Sequence, residues 1–129
     1  SEQARQAVAA SPEGFLGTRY RSVIHRYEHQ DAETDYPMEL HVLRLGDIAI
    51  ATNPFELFLD YGLQIQARSR AEQTLVVQLA GGSGFYLPTA RAVAAGGYGT
   101  ELRSSLVGPE GGQILVDRTV AAINSLFPE

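Results

Sequence analysis

The chain of 129 residues contains no cysteine. That excludes a disulfide framework and any zinc site built on thiolates, while leaving the compartment open. It also has no run of about 18 apolar residues, the length a membrane-spanning helix needs. Basic charge is scarce. Ten Lys and Arg stand against 15 Asp and Glu, for a formal net charge of −5. A nucleic-acid or anionic-membrane surface requires clustered positive charge, and none is present. There is no internal repeat, no low-complexity tract, and no signal-peptide pattern in the polar opening Ser1-Glu2-Gln3. Serine rather than methionine at position 1 suggests a lost natural N-terminus or a tag remnant.

What is present suits one ordinary domain or a fragment of a larger one. Hydrophobic residues make up 44% and charged residues 19%, enough apolar content for a core, and 13 glycines with 6 prolines supply turns without a disordered composition.

Residues 1–37 form a polar, helical lead-in. A helix over 3–10 is interrupted by Pro12-Glu13-Gly14, and the spacing of Tyr20, Val23, Ile24 and Tyr27 predicts a second helix over 18–30. An acidic loop fills 31–37. From residue 38 strands alternate with helices. Strands are predicted over 38–44 and 48–52, joined by a hairpin-like turn at Leu45-Gly46-Asp47. A helix follows over 54–68, with Asn53 as N-cap, Pro54 at its first position, and Phe55, Phe58, Leu59, Gly62 and Ile65 on one face. A buried strand spans 74–80, a short helix 88–95, a loop 108–112 and a terminal helix 113–126. This order predicts an α/β fold, a small mixed sheet with flanking helices. Three or so strands make a thin sheet, so 1–129 reads as a single domain or as an incomplete piece of a larger α/β catalytic domain.

Glu56 lies among Phe55, Leu57, Phe58 and Leu59. In one reading Asn53-Pro54-Phe55-Glu56 is a capping box, its carboxylate returning to the cap N–H and favoured by the helix dipole. In the other Glu56 is a metal ligand or general base at the C-terminal end of a strand, where open α/β sheets place their sites. The stretch Gly81-Gly82-Ser83-Gly84-Phe85-Tyr86 lacks the third glycine of a dinucleotide fingerprint. It also lacks the second glycine of a nucleophile elbow around Ser83. It reads as a flexible turn that projects Tyr86, either toward a site or as an amphipathic core residue. Tyr98, in Gly96-Gly97-Tyr98-Gly99, is a loop anchor or a phenol placed to donate to a developing oxyanion. His25 and His29 have the i,i+4 spacing of a helical metal pair but no Glu after His25, so exposed histidines explain them more simply. His41 sits on the polar side of its strand. Arg91, Arg103 and Arg118 are scattered, as solvated or ion-paired groups are.

Three segments together resemble the neutral/alkaline (non-lysosomal) ceramidase family. They are Leu43-Arg44-Leu45-Gly46-Asp47-Ile48-Ala49-Ile50, then Pro54-Phe55-Glu56, then Leu79-Ala80 through Tyr86-Leu87-Pro88-Thr89 and on to Tyr98. The resemblance covers roughly residues 38–126 and corresponds to the C-terminal part of that family's catalytic domain. It implies a zinc-dependent amide hydrolase acting on an N-acyl-sphingoid (ceramide-like) lipid, with Glu56 and Tyr86 as zinc ligands and Tyr98 beside the reacting carbonyl. Two histidine ligands would come from the upstream part of the same protein, so this chain alone is expected to be inactive. A secreted or periplasmic location is also implied. The chain departs from the family's pattern at Phe55, Pro88 and Gly99. None of His25, His29 and His41 falls in the family's histidine motifs, and the family's C-terminal β-sandwich has no counterpart. The alternative is a non-catalytic α/β relative that binds a lipid, carbohydrate or protein partner, and a third reading is a self-contained α/β domain of unrelated function.

Overall fold

The turn at Gly46-Asp47 closes the first hairpin. Gly46 takes φ +61 at the first of two turn positions, a conformation glycine adopts without cost and one that matches the twist of an antiparallel pair. It joins β1 (Val42–Leu45) to β2 (Ile48–Thr52), with Leu45 opposite Ile48 and Val42 opposite Ala51. In the computed structural model, which describes residues 2–10, 12–32 and 35–128, β2 is the central strand. Its far side carries β4 (Gln73–Val77) in parallel, giving the order β1-β2-β4. A second, two-stranded parallel sheet pairs β3 (Glu56–Leu57) with β5 (Tyr86–Leu87). The protein is thus an α/β fold with small mixed sheets and flanking helices.

The helices are α1 (Glu2–Ala10), α2 (Phe15–His29), α3 (Leu59–Arg68), α4 (Ala90–Ala95) and α5 (Pro109–Leu126), with a 3₁₀ turn at Tyr98–Thr100. No described helix is long and apolar enough to cross a membrane. β2, α3 and β4 form a parallel crossover unit. The strand β2 turns Ala49 and Ala51 toward the helices, and these small side chains let α5 approach closely. Tyr61 and Ile65 of α3 meet Leu115, Val116, Val120 and Ile123 of α5 there, with Phe55 and Leu87 completing the core. Burying one such aliphatic side chain stabilises by about 1.5–3 kcal/mol. Helices α1 and α2 pack chiefly on each other.

Several predicted boundaries move. Residues 38–41 are irregular, so the first strand begins at Val42 and His41 precedes it, exposed and beside Glu39 at 3.2 Å. The strand predicted over 74–80 ends at Val77 and is not buried. Only Thr74 is fully covered. The terminal helix starts at Pro109, since proline suits a first helical turn and Gly111 and Gly112 are tolerated inside it. Part of the predicted acidic loop, residues 33 and 34, lies outside the described residues.

The largest correction falls on 54–58. The helix expected from Pro54 begins at Leu59, and Glu56 is in a strand. Asn53 Oδ1 does accept from the Phe55 N–H at 3.1 Å. The next donors turn away from any helix: Glu56 N–H goes to Phe85 O (2.8 Å) and Phe58 N–H to Leu87 O (3.3 Å). The capping box therefore does not form. The supposed helix face separates accordingly. Phe55 is buried outside the helix, while Leu59 at its start is 74% exposed.

Candidate functional site

Strands β3 and β5 have two residues each, yet they set the geometry of the site. They extend past the C-terminal ends of β2 and β4, the end at which parallel sheets present functional groups. Glu56 is aligned with Tyr86 and Leu57 with Leu87. Neighbours in register share a face. Leu87 is fully buried in the core, so Glu56 and Tyr86 stand side by side on the other face, both half-buried.

The connection that delivers Tyr86 is unusual in its backbone. Gly81 and Gly82 have φ of 77° and 152°, and two non-glycines, Leu79 and Phe85, are both at φ 57°. Such a conformation is uncommon for an L side chain. Gly84 permits it to close: a Cβ there would lie 2.3 Å from the Phe55 ring. The Gly84 N–H donates to Pro54 O at 2.7 Å, and the Tyr86 N–H to Ser104 O at 3.0 Å. The Phe85 ring lies 3.8 Å beneath the Arg19 guanidinium.

Tyr98 joins from the 3₁₀ turn. Its ring meets that of Tyr86 edge-on, 5.7 Å between centroids at 82°. Phe58 makes a second edge-on contact with Tyr86, 6.5 Å at 88°. Gly99 allows this approach, since a Cβ on it would sit 3.1 Å from Phe58 and 3.2 Å from Tyr86. Arg103 stacks over Tyr98 at 5.4 Å and over Tyr20 at 5.9 Å. It is also ion-paired with Glu101. The three residues singled out from sequence, Glu56, Tyr86 and Tyr98, therefore fall in one cluster.

The electrostatics of the cluster centre on Tyr86. Hydrogen bonding to the Glu56 carboxylate holds its phenol above the ordinary tyrosine range. Partial desolvation and the electrostatic influence of Glu56 and Tyr98 push in the same direction. Tyr86 thus holds its proton more firmly than an ordinary tyrosine. The pair supplies two oxygen donors of the hard type that suits a zinc site mixed with imidazole, against the three or four protein ligands such a site uses.

The other sequence candidates stay apart. His25 and His29 are exposed on α2, their rings stacked at 4.2 Å, with His29 Nδ1 bonded to His25 O. Ser83 is exposed in its turn. Among the described residues no group of three or more His, Asp or Glu gathers as a metal site would require. An open cleft of about 350 Å³, lined by Tyr36, Met38, Glu39, Pro54 and Gly82 among others, does not include the cluster.

Sequence reasoning missed Phe58, assigned to a helix face, and Arg103, read as scattered charge. It took Gly99 only as a departure from a pattern. The density of glycine around Tyr98 was the available signal, because glycine marks places where another group comes close. No protein-family model matches the chain, and neither the curated proteins nor the solved structures returned a similar one.

Proposed function

We propose that the chain carries half of a zinc-dependent amide hydrolase site of the kind the ceramidase resemblance implies, with an N-acyl (ceramide-like) amide as substrate. The reading rests on one observation, the in-register neighbours Glu56 and Tyr86 with the Tyr98 ring 5.7 Å from Tyr86. Glu56 would hold the metal through its carboxylate and Tyr86 through its phenol oxygen. Two imidazoles from the upstream part of the same protein would complete the set. Zinc bound there supplies Lewis-acid polarisation of an amide carbonyl and activation of water. Tyr98 donates its phenol hydrogen bond to the amide oxygen as negative charge builds. Arg103 keeps that ring in place by stacking on it and is itself held by Glu101. Phe58 walls one edge of Tyr86 with apolar surface.

Zinc titration with ultraviolet difference spectroscopy tests the assignment on this chain. A cation at Glu56 and Tyr86 reverses the electrostatics of the phenol, which loses its proton on coordination. A tyrosinate signal is expected at mildly alkaline pH, absent in Tyr86→Phe and weakened in Glu56→Ala. In a longer protein that hydrolyses a ceramide-like amide, both substitutions abolish turnover. A longer protein in which both variants retain full activity ends this reading. The alternative, a non-catalytic α/β domain that binds a partner, draws on a different observation, the exposed Leu43, Leu45, Leu75 and Val77 of the three-stranded sheet.

A further inference from the structure

Tyr98 is not fixed by its own backbone. It lies between Gly97 (φ +119) and Gly99 in a three-residue 3₁₀ turn and is 54% exposed. Glycine on both sides leaves the local chain free to turn, so contacts from elsewhere must hold the ring against Tyr86. Those contacts lead to α2. The Arg103 guanidinium stands over two aromatic rings, Tyr98 at 5.4 Å and Tyr20 of α2 at 5.9 Å, distances at which a ring face still attracts a cation. Glu101 pairs with the same guanidinium, and only 18% of the Arg103 side chain is exposed. Two further residues of α2 end on the same region. Arg19 places its guanidinium 3.8 Å over the ring of Phe85, the residue before Tyr86. Arg26 donates to the carbonyls of Leu102 (2.7 Å) and Ser105 (2.9 Å). Ser105 in turn forms β-bridges with Phe85 and Tyr86, and the Tyr86 N–H donates to Ser104 O. One helix is thereby attached to both segments that deliver the phenols of the site.

We infer that α2 positions the candidate site: Tyr20 acts through Arg103 on Tyr98, Arg19 through Phe85 on Tyr86, and Arg26 through the 102–105 loop on both. All three are positioning residues, since each acts through another. What the phenols do chemically rests on the hydrolase reading above; the coupling of α2 to them does not. The attachments of α2 are cation–ring contacts and hydrogen bonds, and its residues lie outside the apolar core shared by the sheet, α3 and α5. The helix can therefore part from the body while the core stays folded. Drawing α2 away releases Arg103 from one of its two rings and frees the 98–105 segment to move. Tyr98 then leaves the edge of Tyr86, and the phenol donor is withdrawn from the site. The position of α2 is thus a switch on the site that leaves the fold intact.

The test is nuclear magnetic resonance of the chain with ring-labelled tyrosines, without zinc or substrate. The edge-on rings of Tyr86 and Tyr98, 5.7 Å between centroids, are expected to give a ring-to-ring cross-peak. In Tyr20→Leu its intensity is expected to fall at least about twofold, because Arg103 loses one aromatic face. In Tyr20→Phe, which keeps that face, the intensity is expected to be retained. The Tyr61 signals, from the core, are expected to be unchanged in both. An undiminished cross-peak in Tyr20→Leu overturns the inference, and so does an equal loss in Tyr20→Phe. Should Tyr20→Leu fail to fold, urea titration of the unaltered chain decides instead. The cross-peak is then expected to fade together with the amide signals of α2 and before those of β2 and α5. A cross-peak that outlasts α2 and disappears only with the core overturns the inference. Neither measurement involves a metal, so a dependence on Tyr20 stands even where the zinc assignment falls, and the reverse.

Discussion

The Glu56–Tyr86 pair makes a pH-dependent contribution whose sign follows from the raised phenol. A tyrosine whose folded pKa lies above its unfolded value favours the folded state at every pH below about 10, and that contribution fades as pH rises through the folded pKa. Tyr86 meets this condition because of Glu56. Replacing Glu56 by Gln removes the charge and is expected to lower the Tyr86 pKa and flatten the alkaline decline in stability. Tyr86→Phe is expected to flatten it as well. Ultraviolet titration of the phenols, with chemical denaturation at several pH values above neutrality, checks both outcomes. An unchanged titration in Glu56→Gln would show that the carboxylate does not reach the phenol. Gly84 is the second residue whose role is set by one contact. Its hypothetical Cβ overlaps the Phe55 ring at 2.3 Å, so Gly84→Ala should destabilise by about 1–3 kcal/mol, as overpacking of a core does. Denaturant midpoints with an unchanged m-value would confirm it. Both residues stood out in the sequence by type, a carboxylate among aromatics and a glycine in a glycine run. Tyr86 stood out as well, but the contact of Gly84 with Phe55 did not, because those two residues are brought together only by tertiary pairing.

At the scale of elements, what could be read locally was read well. The Gly46 turn, β2, α2 and α4 with its Gly96 stop are written in short-range turn and cap chemistry. The segment 54–58 was misread for a physical reason. Asn-Pro-Phe-Glu satisfies every local rule for a helix start, while the carbonyls that recruit it into a strand belong to Phe85 and Leu87, far along the chain. The α1–α2 hairpin poses the same problem of long-range attachment. Its firmest anchor is Arg26, whose guanidinium donates to the carbonyls of Leu102 (2.7 Å), Ser105 (2.9 Å) and Leu106 (3.4 Å). Burial lowers the Arg26 pKa from its ordinary value. Arg26→Ala strips these carbonyls of their donor and is expected to cost about 1.5–3 kcal/mol. The loss should be local. Amide exchange would rise in α2 and in residues 101–106 while β2 and α5 stay protected, and uniform loss of protection would show that the hairpin is integral to the core.

The same contrast divides the whole molecule. The sheet, α3 and α5 share one apolar core, whereas the α1–α2 hairpin is joined to the remainder largely by side-chain contacts such as Arg26 to the 102–106 loop and Arg19 over Phe85. Tyr61 marks the centre of the first unit. Its hydroxyl is buried and lies 3.0 Å from Pro88 O and 3.1 Å from Pro109 O. Its ring fills the space that a side chain on Gly112 would need. One phenol thereby joins α3, the segment after β5 and the first turn of α5. Tyr61→Phe keeps the ring and removes only the hydroxyl, leaving those carbonyls unsatisfied at a cost of about 1–2 kcal/mol. Because the site is common to the packed elements, the loss should appear as a lower midpoint of a single cooperative transition, by roughly 3–8 °C. Arg26→Ala, by contrast, should loosen the hairpin ahead of that transition and leave its midpoint nearly in place. Thermal unfolding followed by circular dichroism, alongside amide exchange, separates the two variants. Identical behaviour in both would mean that the chain unfolds as one unit, with the hairpin as much a part of the core as α5.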